Sequence, residues 1–396
     1  MMINIVDKAK EERIPPVLRL GFRPFFLLAS VYAVFTVTVW IWIFSTGAST
    51  SLSVPPLWWH AHEMLFGFAI AVVAGFLLTA VQTWTGVKGT SGWKLAIIVM
   101  LWLLPRALFW TDTPLAVIAL IDGAFLLTVG WEVGMRVVKT KRWRNLFFIP
   151  MLTVALIANF ASYATVKGMP PFSSNVLWQA MIWWFMLLIS IMGGRVIPFF
   201  TAKRFQFEAP KALLWLDVAA NLPLILLAIL SFFPFVGSTV TLTLLLVAGS
   251  AQLIRLYRWG GVKSKSEPLV WSLHLFYLAL PLGLFAKAMA ISSPWVSHTL
   301  IHLLAMGTLA GVILAMIARV TMGHTGRAIY QGPPFAFAFL SLAFATLIRV
   351  IGPAIWPEYL STWIVIAAVG WSLSFVAFAV IFGPMLTKAR TDGHPG

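Results

Sequence analysis

The chain has 396 residues, of which 60% are hydrophobic and only 10% charged; soluble domains carry about 25% charged residues, so a water-soluble globular protein is excluded. The formal net charge is +16, but the basic residues sit in short loops between apolar runs and form no contiguous basic domain, which argues for membrane lipid and against nucleic acid as a partner. Cysteine is absent, which rules out disulfides, cysteine-ligated iron–sulfur clusters, covalent C-x-x-C-H haem and thiolate-bound copper, and leaves His, Met and carboxylates to hold any metal.

A charged stretch ending at Arg23 leads into a first apolar segment over 24–45, read as a retained helix and not as a cleaved signal. Further membrane-length segments follow at 59–84, 93–110, 113–137, 146–166 and 173–200. The second half repeats the pattern at 211–233, 236–257, 268–290, 295–318, 333–352 and 358–387. The expected fold is therefore all-α: a polytopic membrane protein with twelve transmembrane helices, forming one integral membrane domain over residues 1–396.

The positive-inside rule supports an even count. Lys8, Lys10, Arg13, Arg19 and Arg23 precede helix 1, and Arg136, Lys139, Lys141, Arg142 and Arg144 follow helix 4. Lys203, Arg204 and Lys211 separate helices 6 and 7, Arg255, Arg258, Lys263 and Lys265 separate helices 8 and 9, and Lys388 and Arg390 follow helix 12. With twelve helices all of these fall on one side, while only Arg106, Lys167, Lys287 and Arg349 lie near the other. Both termini are accordingly expected in the cytoplasm.

Helices 2 and 10 share a register. His62-Glu-Met-Leu-Phe-Gly67 runs on to Thr85-Gly86, and His302-Leu-Leu-Ala-Met-Gly307 runs on to Thr325-Gly326. Helix 6, with Gly193-Gly-Arg-Val-Ile-Pro198 at its end, is a weaker third member and carries Trp178 in place of the histidine. The spacing by four helices raises the alternative of three four-helix repeats.

Each matched histidine has a companion, His60 or His298, and topology puts all four at the outer membrane face. Imidazole at that depth is a metal or haem signal, against the plainer reading of interfacial histidine beside Trp58 and Trp59. His298 and His302 stand at i,i+4 and share a helix face, as a two-imidazole metal site requires. His60 and His62 stand at i,i+2 and cannot address one centre. Two sites follow: a haem with axial His62 or His302, and a copper using His298 or His60. Met64 and Met306 are read as packing. Glu63 orients a ligating histidine or carries protons; Asp122 and His274 are the other proton-path candidates, with hydrogen-bonded packing as the plainer reading of His274. Asp217 and Asn221 line a path or bridge helices, and Arg195 and Arg319 are anchors or anion contacts. Arg106 is a candidate partner for a haem propionate.

Leu20-Gly-Phe-Arg-Pro-Phe-Phe26, Trp59-His-Ala-His-Glu-Met-Leu-Phe-Gly67, Gly75-Phe-Leu-Leu-Thr79, Gly193-Gly-Arg-Val-Ile-Pro198 and Arg319-Val-Thr-Met-Gly-His-Thr-Gly-Arg327 together resemble the NnrS family of bacterial inner-membrane proteins, over essentially the whole chain. The resemblance implies a twelve-helix protein containing haem and copper, associated with nitric-oxide stress and denitrification, and it names nitric oxide as the small-molecule partner. Three functions stay open on these residues. The first is a haem- and copper-binding protein (haem of b type) that binds or converts nitric oxide. The second is a nitric-oxide oxidoreductase fed by quinol or another electron donor. The third is a transporter of copper or a small solute. The helix count also allows a haem–copper-oxidase-like arrangement; an oxidase active site is not supported, because helices 6 and 7 lack histidine ligands.

Overall fold

The structure is a computed structural model describing residues 11–394 apart from 234 and 236. Among the described residues it is wholly helical. The principal helices are α1 (Phe22–Thr46), α2 (Pro56–Thr85), α3 (Trp93–Leu108), α4 (Leu115–Lys139), α5 (Phe148–Val166) and α6 (Ser174–Phe205). They are followed by α7 (Leu214–Leu230), α8 (Ser238–Arg258), α9 (Pro268–Met289), α10 (Trp295–His324), α11 (Ala336–Ile355) and α12 (Leu360–Thr387). All twelve expected segments are helices, but ten are long and apolar enough to span a bilayer. The exceptions are α3 and α7, of 16 and 17 residues. At about 1.5 Å per residue they fall short of the roughly 20 residues a full crossing uses. Gly92, at φ 65°, blocks α3 from starting earlier.

The chain forms two compact units. The first comprises Met1–Ser174, Ile317–Gly332 and Phe378–Gly396. Within it α1 packs along α2, α3 and α5 pack on α4, and α2 also meets α4. Its interior is aromatic: Phe22, Phe25, Phe26, Trp59, Trp102 and Phe109 are almost wholly buried. The second unit comprises Asn175–Met316 and Pro333–Ala377, where α8 packs against α7 and α9, and α10 against α9 and α11. In both units large apolar side chains stay exposed, among them Leu120, Trp131, Trp215 and Phe344. A chain solvated by lipid has no reason to hide them.

The shared register of α2 and α10 corresponds to a shared build. Directly after His62 the helix widens to π-helix over Glu63–Ala69, and directly after His302 it does the same over Leu303–Ala310. Single π turns are rare and concentrate at functional sites. Helix α6 is α-helical throughout its length, so the proposed third repeat has neither the histidine nor the π turn. The matched Thr-Gly pairs are stop signals. Thr85 and Thr325 turn their hydroxyls back onto the carbonyls of Val81 (2.6 Å) and Thr321 (2.7 Å), and Gly86 and Gly326 then leave in left-handed conformation at φ 70° and 77°.

The two ends of the first unit are tied together. Arg23, fully buried at the start of α1, donates from Nη1 to the carbonyls of Leu386 (3.0 Å) and Lys388 (2.7 Å) at the end of α12. Helix α1 therefore begins, and α12 ends, at the same level.

Candidate functional site

The π turn of α2 positions a buried polar cluster in the first unit. His62 and Glu63 are both fully buried, and His62 Nδ1 donates to Glu63 Oε1 at 2.7 Å. The other carboxylate oxygen, Glu63 Oε2, accepts from the Tyr32 hydroxyl at 2.6 Å and lies 3.1 Å from Arg106 Nε. Arg106 Nη1 reaches across to Asp122 Oδ1 and also donates to the Trp102 carbonyl at 3.0 Å. The second Asp122 oxygen accepts from Asn159 Nδ2 (2.7 Å) and the Tyr163 hydroxyl (3.1 Å). Two carboxylates thus hold one guanidinium, and two tyrosines and an asparagine take up the remaining acceptor sites, as buried charge demands.

Space for this cluster depends on Gly67. A Cβ there would stand 2.5 Å from Glu63 Oε2 and 2.9 Å from Tyr32 Cε1. Its carbonyl accepts from Trp102 Nε1 at 2.8 Å, which links α2 to α3 beside Arg106.

Of the residues singled out in the sequence, the cluster brings His62, Glu63, Arg106 and Asp122 together. A haem does not fit at His62. Its ring lies parallel to Trp58 (4.6 Å, 13°) and against Phe66, and its Nε2 faces Asp122 Oδ2 at 3.6 Å and Asn159 Nδ2 at 3.5 Å. Both ring nitrogens are directed at protein groups, whereas an axial ligand aims one at iron. Arg106, gripped by two carboxylates, likewise does not reach outward to a propionate. His60 points elsewhere, as its i,i+2 offset requires: it is half-buried and stacked on Trp40 (4.7 Å, 16°).

His298 and His302 belong to the second unit and share one face of the α-helical turn before the π segment. His298 is exposed and His302 half-buried. Among the described residues no three His, Asp or Glu side chains form a metal-holding group.

His274, also in the second unit, is buried, with Nε2 2.8 Å from Thr201 Oγ1. Thr201 spends its proton on the Ile197 carbonyl, so the imidazole is the donor. Asp217 and Asn221 bridge helices. Asp217 Oδ1 lies 3.2 Å from Arg255 Nε, and Asn221 Oδ1 accepts from Ser190 (2.6 Å). Around them Arg255 also donates to Ser190 Oγ (2.8 Å) and Gln252 Oε1 (3.0 Å), and Tyr277 donates to Gln252 (2.5 Å). Arg319 donates to the Tyr330 hydroxyl at 2.9 Å.

Sequence reading missed Tyr32, Asn159 and Tyr163 in the first cluster and Ser190, Gln252 and Tyr277 in the second. Each is a neutral polar residue within an apolar helix, and only packing reveals which charge it serves. Gly67 and the Thr85-Gly86 pair did carry a signal, since they mark a close approach and then a helix stop.

The sequence profile described as NnrS protein matches residues 16–390. Among curated proteins none matches the chain.

Proposed function

From its membership of the NnrS family, which nearly the whole chain establishes, we propose that this protein is an inner-membrane component of the nitric-oxide response that carries a b-type haem and copper and binds or converts nitric oxide. Family membership and the many apolar helices fit a multi-pass membrane protein of that response. Placement of both termini in the cytoplasm draws support from the Arg23 contacts, which bring the start of α1 and the end of α12 to one level, and from the basic loops on that side.

The observation that carries the reading is the pairing of a histidine with a π turn in both α2 and α10. The fit differs between the two. In α10, His298 and His302 present imidazole, a ligand type that suits both iron and copper, on one partly accessible helix face. They are the residues that would hold the haem or copper, with the half-buried His60 as a further imidazole in the first unit. When bound, a haem with an open axial position supplies the centre at which nitric oxide coordinates. In α2 the protein keeps the register but encloses His62 with Glu63 and Asp122, so its residues there bind one another and exclude water.

An absorption spectrum with metal analysis of detergent-purified protein, taken before and after adding nitric oxide, tests the proposal. A Soret band that shifts with the gas, and that is lost in His302→Ala, is the expected result. Absence of both haem and copper from the intact protein overturns it.

A further inference from the structure

In the second unit the end of α9 carries Lys287, a half-buried lysine in a membrane-length helix. Its Nζ donates to Gln179 Oε1 of α6 and to Ser297 Oγ of α10, each at 3.3 Å, and lies 6.0 Å from the Trp183 ring centre. No carboxylate among the described residues pairs with it. A lysine that merely snorkels points its ammonium to water; this one is drawn onto two side chains. Because an ammonium has no acceptor capacity, Gln179 must face it with Oε1, which turns the amide Nε2 away. That Nε2 is shielded from solvent and makes no hydrogen bond. Ser297 accepts from the ammonium and so directs its own proton elsewhere. The ammonium is thus left without a counter-charge and the Gln179 amide without an acceptor, where buried polar groups ordinarily find partners, with His298 next in sequence to Ser297.

We propose that Lys287, Gln179 and Ser297 form a recognition site for a single carboxylate-type oxyanion, either the propionate of a haem held by the α10 histidines or a free small anion. The haem source rests on the function proposed above; the site itself does not. A carboxylate there accepts from the ammonium and the Gln179 amide, completes both, and supplies the missing counter-charge. On this reading Lys287 takes the propionate role that Arg106, committed to Glu63 and Asp122, does not fill.

The test titrates the detergent-purified full-length protein with haemin, with haemin dimethyl ester, and with sodium formate at constant ionic strength. Haemins are read by the Soret band and formate by the thermal unfolding midpoint. Two variants are compared: Lys287→Gln removes the cation, and Gln179→Glu keeps it while seating an internal carboxylate beside it. For a propionate, the protein prefers haemin over its ester by about tenfold, and both variants lose that preference while binding the ester unchanged. For a free anion, haemin and ester bind alike, and formate raises the midpoint of the parent protein but of neither variant. Uptake of neither haemin together with a Lys287-dependent formate response sustains the site and overturns the haem reading. Responses to haemin and formate that are the same in the parent and both variants overturn the site.

Discussion

His62 and Glu63, adjacent in sequence, also hold each other in space: imidazole Nδ1 and carboxylate Oε1 are 2.7 Å apart and neither side chain meets solvent. Consecutive helical residues ordinarily diverge by about 100° around the axis. Here the pair sits where α-helix gives way to π-helix, and the wider turn accompanies a carboxylate that serves His62, Tyr32 and Arg106 together.

The cluster is expected to respond asymmetrically to substitution. Removing one member of a buried ion pair leaves an uncompensated charge, at a cost of about 3–5 kcal/mol. Arg106→Ala and Asp122→Ala should therefore lower the thermal unfolding midpoint in detergent far more than Lys139→Ala at the exposed end of α4. Equal midpoints for all three would show that the cluster does not hold the first unit together.

Histidine variants separate a ligand from a packed side chain. His302→Ala should abolish the Soret band, whereas His62→Ala should retain haem and copper per protein while unfolding at lower temperature. Loss of haem in His62→Ala with an unchanged midpoint would reverse the assignment.

Two glycines of α2 should fail for different reasons. Gly67→Ala drives a methyl group to 2.5 Å from Glu63 Oε2, and overpacking of this kind costs roughly 1–3 kcal/mol. Gly86→Ala meets open space, and its cost of about 1 kcal/mol comes from the left-handed backbone at φ 70°. Thermal midpoints ranked Gly67→Ala below Gly86→Ala below the parent are expected; the opposite ranking would argue that Glu63 and Tyr32 move aside freely.

At the C-terminal segment a pH effect of known sign is expected. A side-chain hydrogen bond from Arg390, Nε to Oδ1 at 2.9 Å, holds the Asp392 carboxyl down to about 2. Its folded value thus lies below the ordinary value of about 3.9, so the contribution is complete above about pH 4 and disappears as pH falls to about 2. The segment reaches α10 through Thr391, whose Oγ1 donates to the Gly326 carbonyl at 2.9 Å. Amide exchange around residue 391 should be faster in Asp392→Asn than in the parent at pH 7, and alike in the two below pH 2. A difference that persists at the acid end would exclude the carboxylate as its source.

Much of the architecture was legible in the residues themselves. Every expected segment is a helix, with most ends within about three residues, because long apolar runs broken by Pro, Gly and basic clusters leave few alternatives in a bilayer. Length was less legible. The apolar stretch at 211–233 yields only Leu214–Leu230, since Leu213 is extended and the chain turns after Leu230. Glu63 and Asp122 stand out in the sequence because a membrane carboxylate needs a partner. That partner being Arg106 was hidden, since 43 and 16 positions separate Arg106 from them and only the packing of α2, α3 and α4 closes the gap. The π turns carry no periodicity of their own and were visible only as a repeated His-x4-Gly.

The bond from Arg23 to the carbonyl of Leu386 joins positions 363 residues apart. Its donor lies in α1 and its acceptor in α12. The contacts that hold Arg23 therefore form only once the end of α12 has been made. A chain cut short before Leu386 leaves a buried arginine at the head of α1 without the carbonyls that hold it.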